Sequence, residues 1–206
     1  MNAIRIKICG ITSVEDALVA VNAGADAIGL VFYAPSPRAV SVEQAANIAR
    51  AVGPFVTLVG LFVDAEKTFV DEILAKVPLH VIQFHGDESE AFCSCFQRPY
   101  MKAIRMRPEV DVEKVMALYA SASGILLDAY RPGVPGGTGE TFDWQRVPSV
   151  STLPIILAGG LTPENVALAV RSTSIYGVDV SGGVEASLGK KNAEHVKTFI
   201  HNAKHA

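Results

Sequence analysis

"IRIKICGIT", residues 4–12, decides the fold. Its first six residues alternate isoleucine with Arg5, Lys7 and Cys9, the pattern of a strand with two unlike faces. The turn that follows, Cys9-Gly10-Ile11-Thr12, is not the GxGxxG that opens a doubly wound dinucleotide-binding sheet. Working outward, the unit repeats. Strand-length apolar runs recur at 27–32 (AIGLVF), 57–63 (TLVGLFV), 81–85 (VIQFH), 102–106 (KAIRM), 124–129 (GILLDA), 154–159 (PIILAG) and 176–181 (YGVDVS), eight in all.

Helical patterns fill the gaps, as at 14–24, 42–53 and 162–172. Ser13, Ser41 and Thr162 precede them as N-caps, with Asp16, Gln44 and Asn165 three positions on. Pro163 takes the first helical position, where a missing N–H costs nothing, and Gly24 and Gly53 suit left-handed C-caps. The sixth crossover is the weakest, turn-rich before a short helical stretch near 142–147. Alternating strands and helices make right-handed βαβ units and a parallel sheet. Eight units point to a closed (β/α)₈ barrel, the TIM-barrel architecture, with an open doubly wound sheet as the rival. No linker-like shift in composition divides the chain, so a single α/β barrel domain over 1–206 is expected.

Composition narrows the function classes. Half of the 206 residues are hydrophobic and 19% are charged, which excludes a disordered chain. A net charge of −3 leaves no basic footprint, so no nucleic-acid partner is expected. No apolar run is long enough for a membrane span and no signal-like segment opens the chain, so a cytoplasmic protein with no membrane partner is expected. Cys9, Cys93 and Cys95 are too few for a disulfide framework or a four-ligand zinc site. Cys93 and Cys95 with His85 are a conceivable metal set, but two cysteines inside an apparent helix read as buried or incidental, and no metal is expected.

In a strand, residues two apart share a face, so Ile4, Ile6 and Ile8 pack outward while Arg5, Lys7 and Cys9 point into the barrel. A lysine there needs a partner. Asp179 stands on the eighth strand, which closes against the first, and a Lys7–Asp179 ion pair across that seam is expected; the alternative is a lysine that snorkels to solvent. Catalytic groups in this architecture come from the C-terminal ends of the strands. Those ends carry Cys9, Tyr33 to Arg38, Asp64, His85, Arg105, Asp128, Gly159-Gly160 and Ser181-Gly182-Gly183. The glycines after the last two strands let backbone N–H groups approach an anion, as phosphate sites of such barrels do, and a phosphorylated small molecule is the expected ligand. Glycines needed only for tight turns are the plainer reading.

KICGIT, GADAIGLVFYAPSPR, VGLFVD, VIQFHGDE, LLDA with GGTGETFDW, LAGGLTPENV and GVDVSGGVEASLGKK together resemble the phosphoribosylanthranilate isomerases, from about residue 4 to residue 200. Phe84 departs from a position more often leucine in that family, and Ala34-Pro35 makes the approach to SPR unusual, two changes expected to reshape the pocket wall. The resemblance implies an Amadori rearrangement of N-(5′-phosphoribosyl)anthranilate to 1-(o-carboxyphenylamino)-1-deoxyribulose 5-phosphate, the third step of tryptophan biosynthesis from chorismate. It implies Cys9 as general base and Asp128 as general acid, with no cofactor. Arg38 would meet the anthranilate carboxylate, Asp179 would hold the ribose, and His85 would line the pocket. Gly159, Gly160, Ser181, Gly182 and Gly183 would bind the phosphate. Residues 133–144 read as a loop that closes over the site. A free thiol titrates near about 8.5, so Cys9 needs a nearby positive charge, for which Lys7 is the candidate. Another sugar-phosphate isomerase or synthase on the same scaffold, or a barrel that only senses a phosphorylated metabolite, stays open at this point. Both a monomer and a homodimer are compatible with the sequence.

Overall fold

The computed structural model describes residues 3–129 and 141–206. Eight parallel strands close on themselves in chain order, β1 Arg5–Ile8, β2 Ala27–Val31, β3 Thr57–Phe62, β4 Val81–Phe84, β5 Tyr100–Arg105, β6 Gly124–Asp128, β7 Ile155–Leu157 and β8 Gly177–Val180. Each expected strand is present, with no end moved by more than two residues. The helices outside it are α1 Val14–Asn22, α2 Val42–Val52, α3 Lys67–Lys76, the single-turn α4 Glu90–Cys93, α5 Val112–Leu118, α6 Val166–Ser172 and α7 Ala193–Lys204. Between β6 and β7 the described residues hold only a 3₁₀ turn, Trp144–Arg146. A second 3₁₀ turn, Gly182–Val184, leads from β8 into a small hairpin, β9 Glu185–Ser187 and β10 Lys190–Lys191.

The local signals act as read. Ser13 accepts from Asp16 N, and Ser41 and Gln44 form a reciprocal capping box. Gly24 (φ 96) and Gly53 (φ 73) take the positive φ that a helix ending in glycine allows. The 162–172 helix is shorter than expected. Thr162 O still accepts from Val166 N at 3.1 Å, but α6 proper starts at Val166, and Pro163 lies in a lead-in turn.

Strand parity sorts the interior. Ile6, Ile8, Ile28, Leu30, Ile82, Phe84, Ile125, Leu127 and Val178 face outward and merge with the helices' buried faces into one apolar layer. Inside the barrel lie two smaller apolar groups, Ala103, Leu126, Ile156 and Ala158 on one side and Cys9, Val31 and Leu61 on the other. Lys7 and Asp179 sit opposite each other across the closing seam, in register. The inward expectation fails for Arg5. It sits at the N-terminal end of β1 where the barrel opens to water, is exposed, and pairs with Asp26 at 2.8 Å.

Phe84 is also placed differently from expectation. Its parity is outward, and it packs against Phe92, Phe96 and Tyr100 at ring-centroid distances of 5.7, 5.7 and 6.0 Å. It therefore shapes the outer layer and not the pocket wall.

Candidate active site

A cavity of about 500 Å³ opens at the C-terminal end of the barrel. Cys9, Arg38, His85, Asp128, Gly159, Gly160, Asp179, Ser181, Gly182 and Gly183 all line it, so the ten residues singled out in the sequence meet in one place. They come from the ends of β1, β4, β6, β7 and β8 and the loop after β2. Tyr33, Pro35, Pro37, Leu61 and Val63 give the same cavity an apolar wall. Asp64 and Arg105 stand outside that lining. Asp64 (φ 47) accepts from Asp87 N at 2.6 Å, and Arg105 donates to the His85 carbonyl at 3.2 Å; both brace the loops around β4.

The expected ion pair is formed: Lys7 Nζ donates to Asp179 Oδ1 at 2.9 Å, with both side chains buried. Burial opposes the Lys7 charge, but Asp179 and the neighbouring Cys9 outweigh it and push its pKa up to about 12. The thiol and the ammonium share one small space. A methyl on Gly29 would stand 2.7 Å from Cys9 Sγ and 3.0 Å from Lys7 Nζ. For Cys9, burial pushes the thiol up, Lys7 pulls it down, and the net shift is upward. The free-state sulfur is therefore a thiol at neutral pH, and the lysine offsets only part of the cost of burying its anion. This differs from a cysteine activated in the empty site.

Gly10 explains the end of the KICG motif. Its φ is +69, and a side chain there would lie 2.5 Å from Arg38 Cδ and 2.8 Å from Ser181 Oγ. Across the cavity Gly159 (φ 79) and Gly160 (φ 63) turn the chain after β7 in the left-handed region. Gly183 lies so close to the Leu161 carbonyl that any Cβ would collide with it, which presses the β7 and β8 loops together.

Arg38 is held where the sequence gave no hint. Its Nε and Nη2 donate to Glu185 Oε1 and Oε2 at 2.7 and 2.8 Å, a bidentate pair. Lys191 Nζ reaches Glu185 Oε1 at 2.9 Å and the Ser181 carbonyl at 3.2 Å. Burial works against the Glu185 charge, yet Arg38 and Lys191 hold its carboxyl below the usual range. Burial also lowers the Lys191 pKa, and Glu185 restores only part of it. The hairpin β9–β10 thus clamps Arg38 by its side edge, and among the described residues Nη1 has no hydrogen-bond partner.

At the opposite wall His85 Nε2 is 3.1 Å from Asp128 Oδ2, and Gln83 Nε2 is 3.1 Å from His85 Nδ1. All three are buried. Gln83 is the residue that sequence reading passed over, although it stands two before His85 in VIQFH and so shares its face. Glu185 and Lys191 had no comparable signal. The expected closing loop, 133–144, lies mostly outside the described residues.

An eight-stranded barrel with a buried thiol, a histidine-bound carboxyl and paired glycine loops at its C-terminal mouth defines a TIM-barrel enzyme equipped for proton transfer on an anionic substrate. The model of the N-(5′-phosphoribosyl)anthranilate isomerase family matches residues 6–202, and the chain belongs to that family, whose members are isomerases of tryptophan biosynthesis. An N-(5′-phosphoribosyl)anthranilate isomerase of Cellvibrio japonicus is 66% identical over 200 residues, covering 97% of this chain and 93% of the relative. A crystal structure of a phosphoribosylanthranilate isomerase in complex with reduced 1-(o-carboxyphenylamino)-1-deoxyribulose 5-phosphate superposes with a TM-score of 0.84 at 38% identity, covering 98% of this chain and 100% of the other. Another, of mutually generated monomers of the dimeric enzyme from Thermotoga maritima, gives 0.83 at 37% identity, covering 98% and 100%.

Proposed function

We propose that Cys9 is the base and Asp128 the acid with which this isomerase converts N-(5′-phosphoribosyl)anthranilate to 1-(o-carboxyphenylamino)-1-deoxyribulose 5-phosphate. The supporting observation is that the two buried groups line the same cavity, one beside an ammonium and the other against an imidazole. Asp128 gives its proton to the furanose ring oxygen, the C1′–O bond breaks toward that oxygen, and a protonated Schiff base forms. Cys9 then removes the C2′ proton, and the bond's electrons flow to the iminium to give an enolamine. The positive iminium makes that proton acidic and, with Lys7, favours the sulfur anion that burial disfavours, so the Cys9 thiol gives its own proton to water before this step and cycles between thiolate and thiol during turnover. Tautomerisation adds a proton at C1′ and removes one from the 2′-hydroxyl, which is what the Cys9 thiol and the Asp128 carboxylate require to return to their starting states. No electron is gained or lost overall.

The free end of the Arg38 fork faces the anthranilate carboxylate beside the apolar wall. Asp179, with one oxygen on Lys7, offers the other to ribose hydroxyls. Gly159, Gly160, Ser181, Gly182 and Gly183 hold the phosphate. The reaction is assigned to a single barrel domain over 1–206, acting as a monomer or homodimer in the cytoplasm. The test is loss of substrate fluorescence with phosphoribosylanthranilate made in situ. Cys9→Ala and Asp128→Asn are each expected to lower kcat by at least about a hundredfold with the fold retained. A loss under about tenfold in either folded variant overturns its role.

A further inference from the structure

We propose that Gln83 is a positioning residue for the reaction: its amide decides whether the His85–Asp128 pair holds the proton that the sugar ring receives. The inference rests on Asp128 being the acid. Gln83 is fully buried, and its Nε2 lies 3.1 Å from His85 Nδ1 while its Oε1 has no hydrogen-bond partner among the described residues. With the amide nitrogen on Nδ1, that nitrogen must be bare. The imidazole proton is then on Nε2 and is donated to Asp128 Oδ2 across 3.1 Å, so that oxygen carries no proton of its own and the pair is unloaded.

A terminal amide torsion is broad and roughly two-fold. Turning it places Oε1 on Nδ1, and only the bond to His85 is broken and remade, because the outer end of the amide holds no other. A proton taken up from water at Nδ1 stays on that nitrogen, which donates a hydrogen bond to Oε1, and the Nε2 proton passes to Asp128. The pair is loaded, with Nδ1–H on Gln83 and Asp128 as the acid. After the ring oxygen takes that proton, the Asp128 carboxylate faces a bare Nε2, an arrangement that favours recovery of a proton from the 2′-hydroxyl. Loading therefore happens once, and each turnover returns the pair to the loaded state. A primary amide suits this place because it offers a donor and an acceptor from one side chain; a glutamate or an apolar residue offers one or neither.

The charged and titratable groups around the pair come from β1, the loop after β2, the loop after β4, β5 and β8, while β3 and β7 present only apolar residues to it. Cys9, Tyr33, Arg38 and Asp179 line the same cavity, Lys7 is bound to Asp179, and Arg105 donates to the His85 carbonyl with Asp87 3.8 Å beyond it. Among the described residues the two ring nitrogens of His85 meet only Gln83 and Asp128.

Two variants of similar volume separate the possibilities. Gln83→Glu always accepts from Nδ1–H, so nitrogen NMR of His85 should show the ring holding its proton to higher pH than in the parent. Gln83→Met should release it at lower pH, with kcat at neutral pH reduced about tenfold or more and KM changed less than about threefold. The alkaline limb of the rate profile should move up for Gln83→Glu and down for Gln83→Met. Parent-like His85 titration in both folded variants overturns the proposal, as does a loss confined to KM, or opposite NMR shifts with kcat unchanged. Full activity of Asp128→Asn instead removes the assignment of the acid, whatever Gln83 does to the histidine.

Discussion

Cys9 carries its charge problem in its surroundings. Burial raises the thiol above its ordinary value and Lys7 pulls it back only in part. Iodoacetamide alkylation of the ligand-free protein should therefore rise with pH through a midpoint above that of a free thiol, and Lys7→Gln should move it higher; a midpoint below the free thiol's would contradict this balance. The buried thiol also favours the fold below the free thiol's value and loses that contribution as pH rises through its raised value, so alkali destabilises the parent more than Cys9→Ala. Arg38 raises a different question, because Glu185 already occupies one edge of its guanidinium. A lysine cannot hold Glu185 bidentately and present a second edge. Arg38→Lys should therefore raise KM by about tenfold to a hundredfold, the worth of a charged hydrogen bond, with kcat changed less than about threefold. An unchanged KM would mean that the carboxylate lies elsewhere.

At the scale of elements, the closing seam between β1 and β8 depends on an ion pair buried in register. Lys7→Met leaves Asp179 buried and unpaired and should cost about 3–5 kcal/mol in urea unfolding at pH 7, while Lys7→Met with Asp179→Leu should recover most of it. A single-variant cost under about 1 kcal/mol would show the pair exposed to water in solution. Because the fold raises Lys7 from 10.5 to about 12, its contribution is whole below 10.5 and lost as pH climbs through about 12. The seam was legible because strand parity and the order of βα units are local properties that a sequence displays. The same parity put Cys9 and Asp179 on the inner face, while His85 was placed by its position at a strand end. It said nothing of the β9–β10 hairpin, two very short strands whose purpose, clamping Arg38 through Glu185, depends on contacts 147 residues apart. It also misjudged Arg5, since alternation gives a direction but not a depth along the barrel. Gln83 was in plain view and overlooked because an uncharged amide carries no chemistry of its own until a histidine is placed beside it.

At the scale of the whole molecule, the site draws on β1, β2, β4, β6, β7 and β8, so a ligand in it ties together strands from all around the ring. Ligand that binds only the folded barrel should stabilise it by about 2.7 kcal/mol at a hundredfold excess over Kd, a shift of several degrees in Tm. The ten expected site residues, like Gln83 and Glu185, belong to one chain and already meet within it. Association of two copies can therefore change stability without supplying any of these groups. Specific activity should stay constant over about a thousandfold dilution, while Tm falls with concentration if the chain is a dimer and holds steady if it is a monomer. Activity that collapses on dilution, in step with a change in sedimentation, would mean that one barrel alone does not keep its own site in working order.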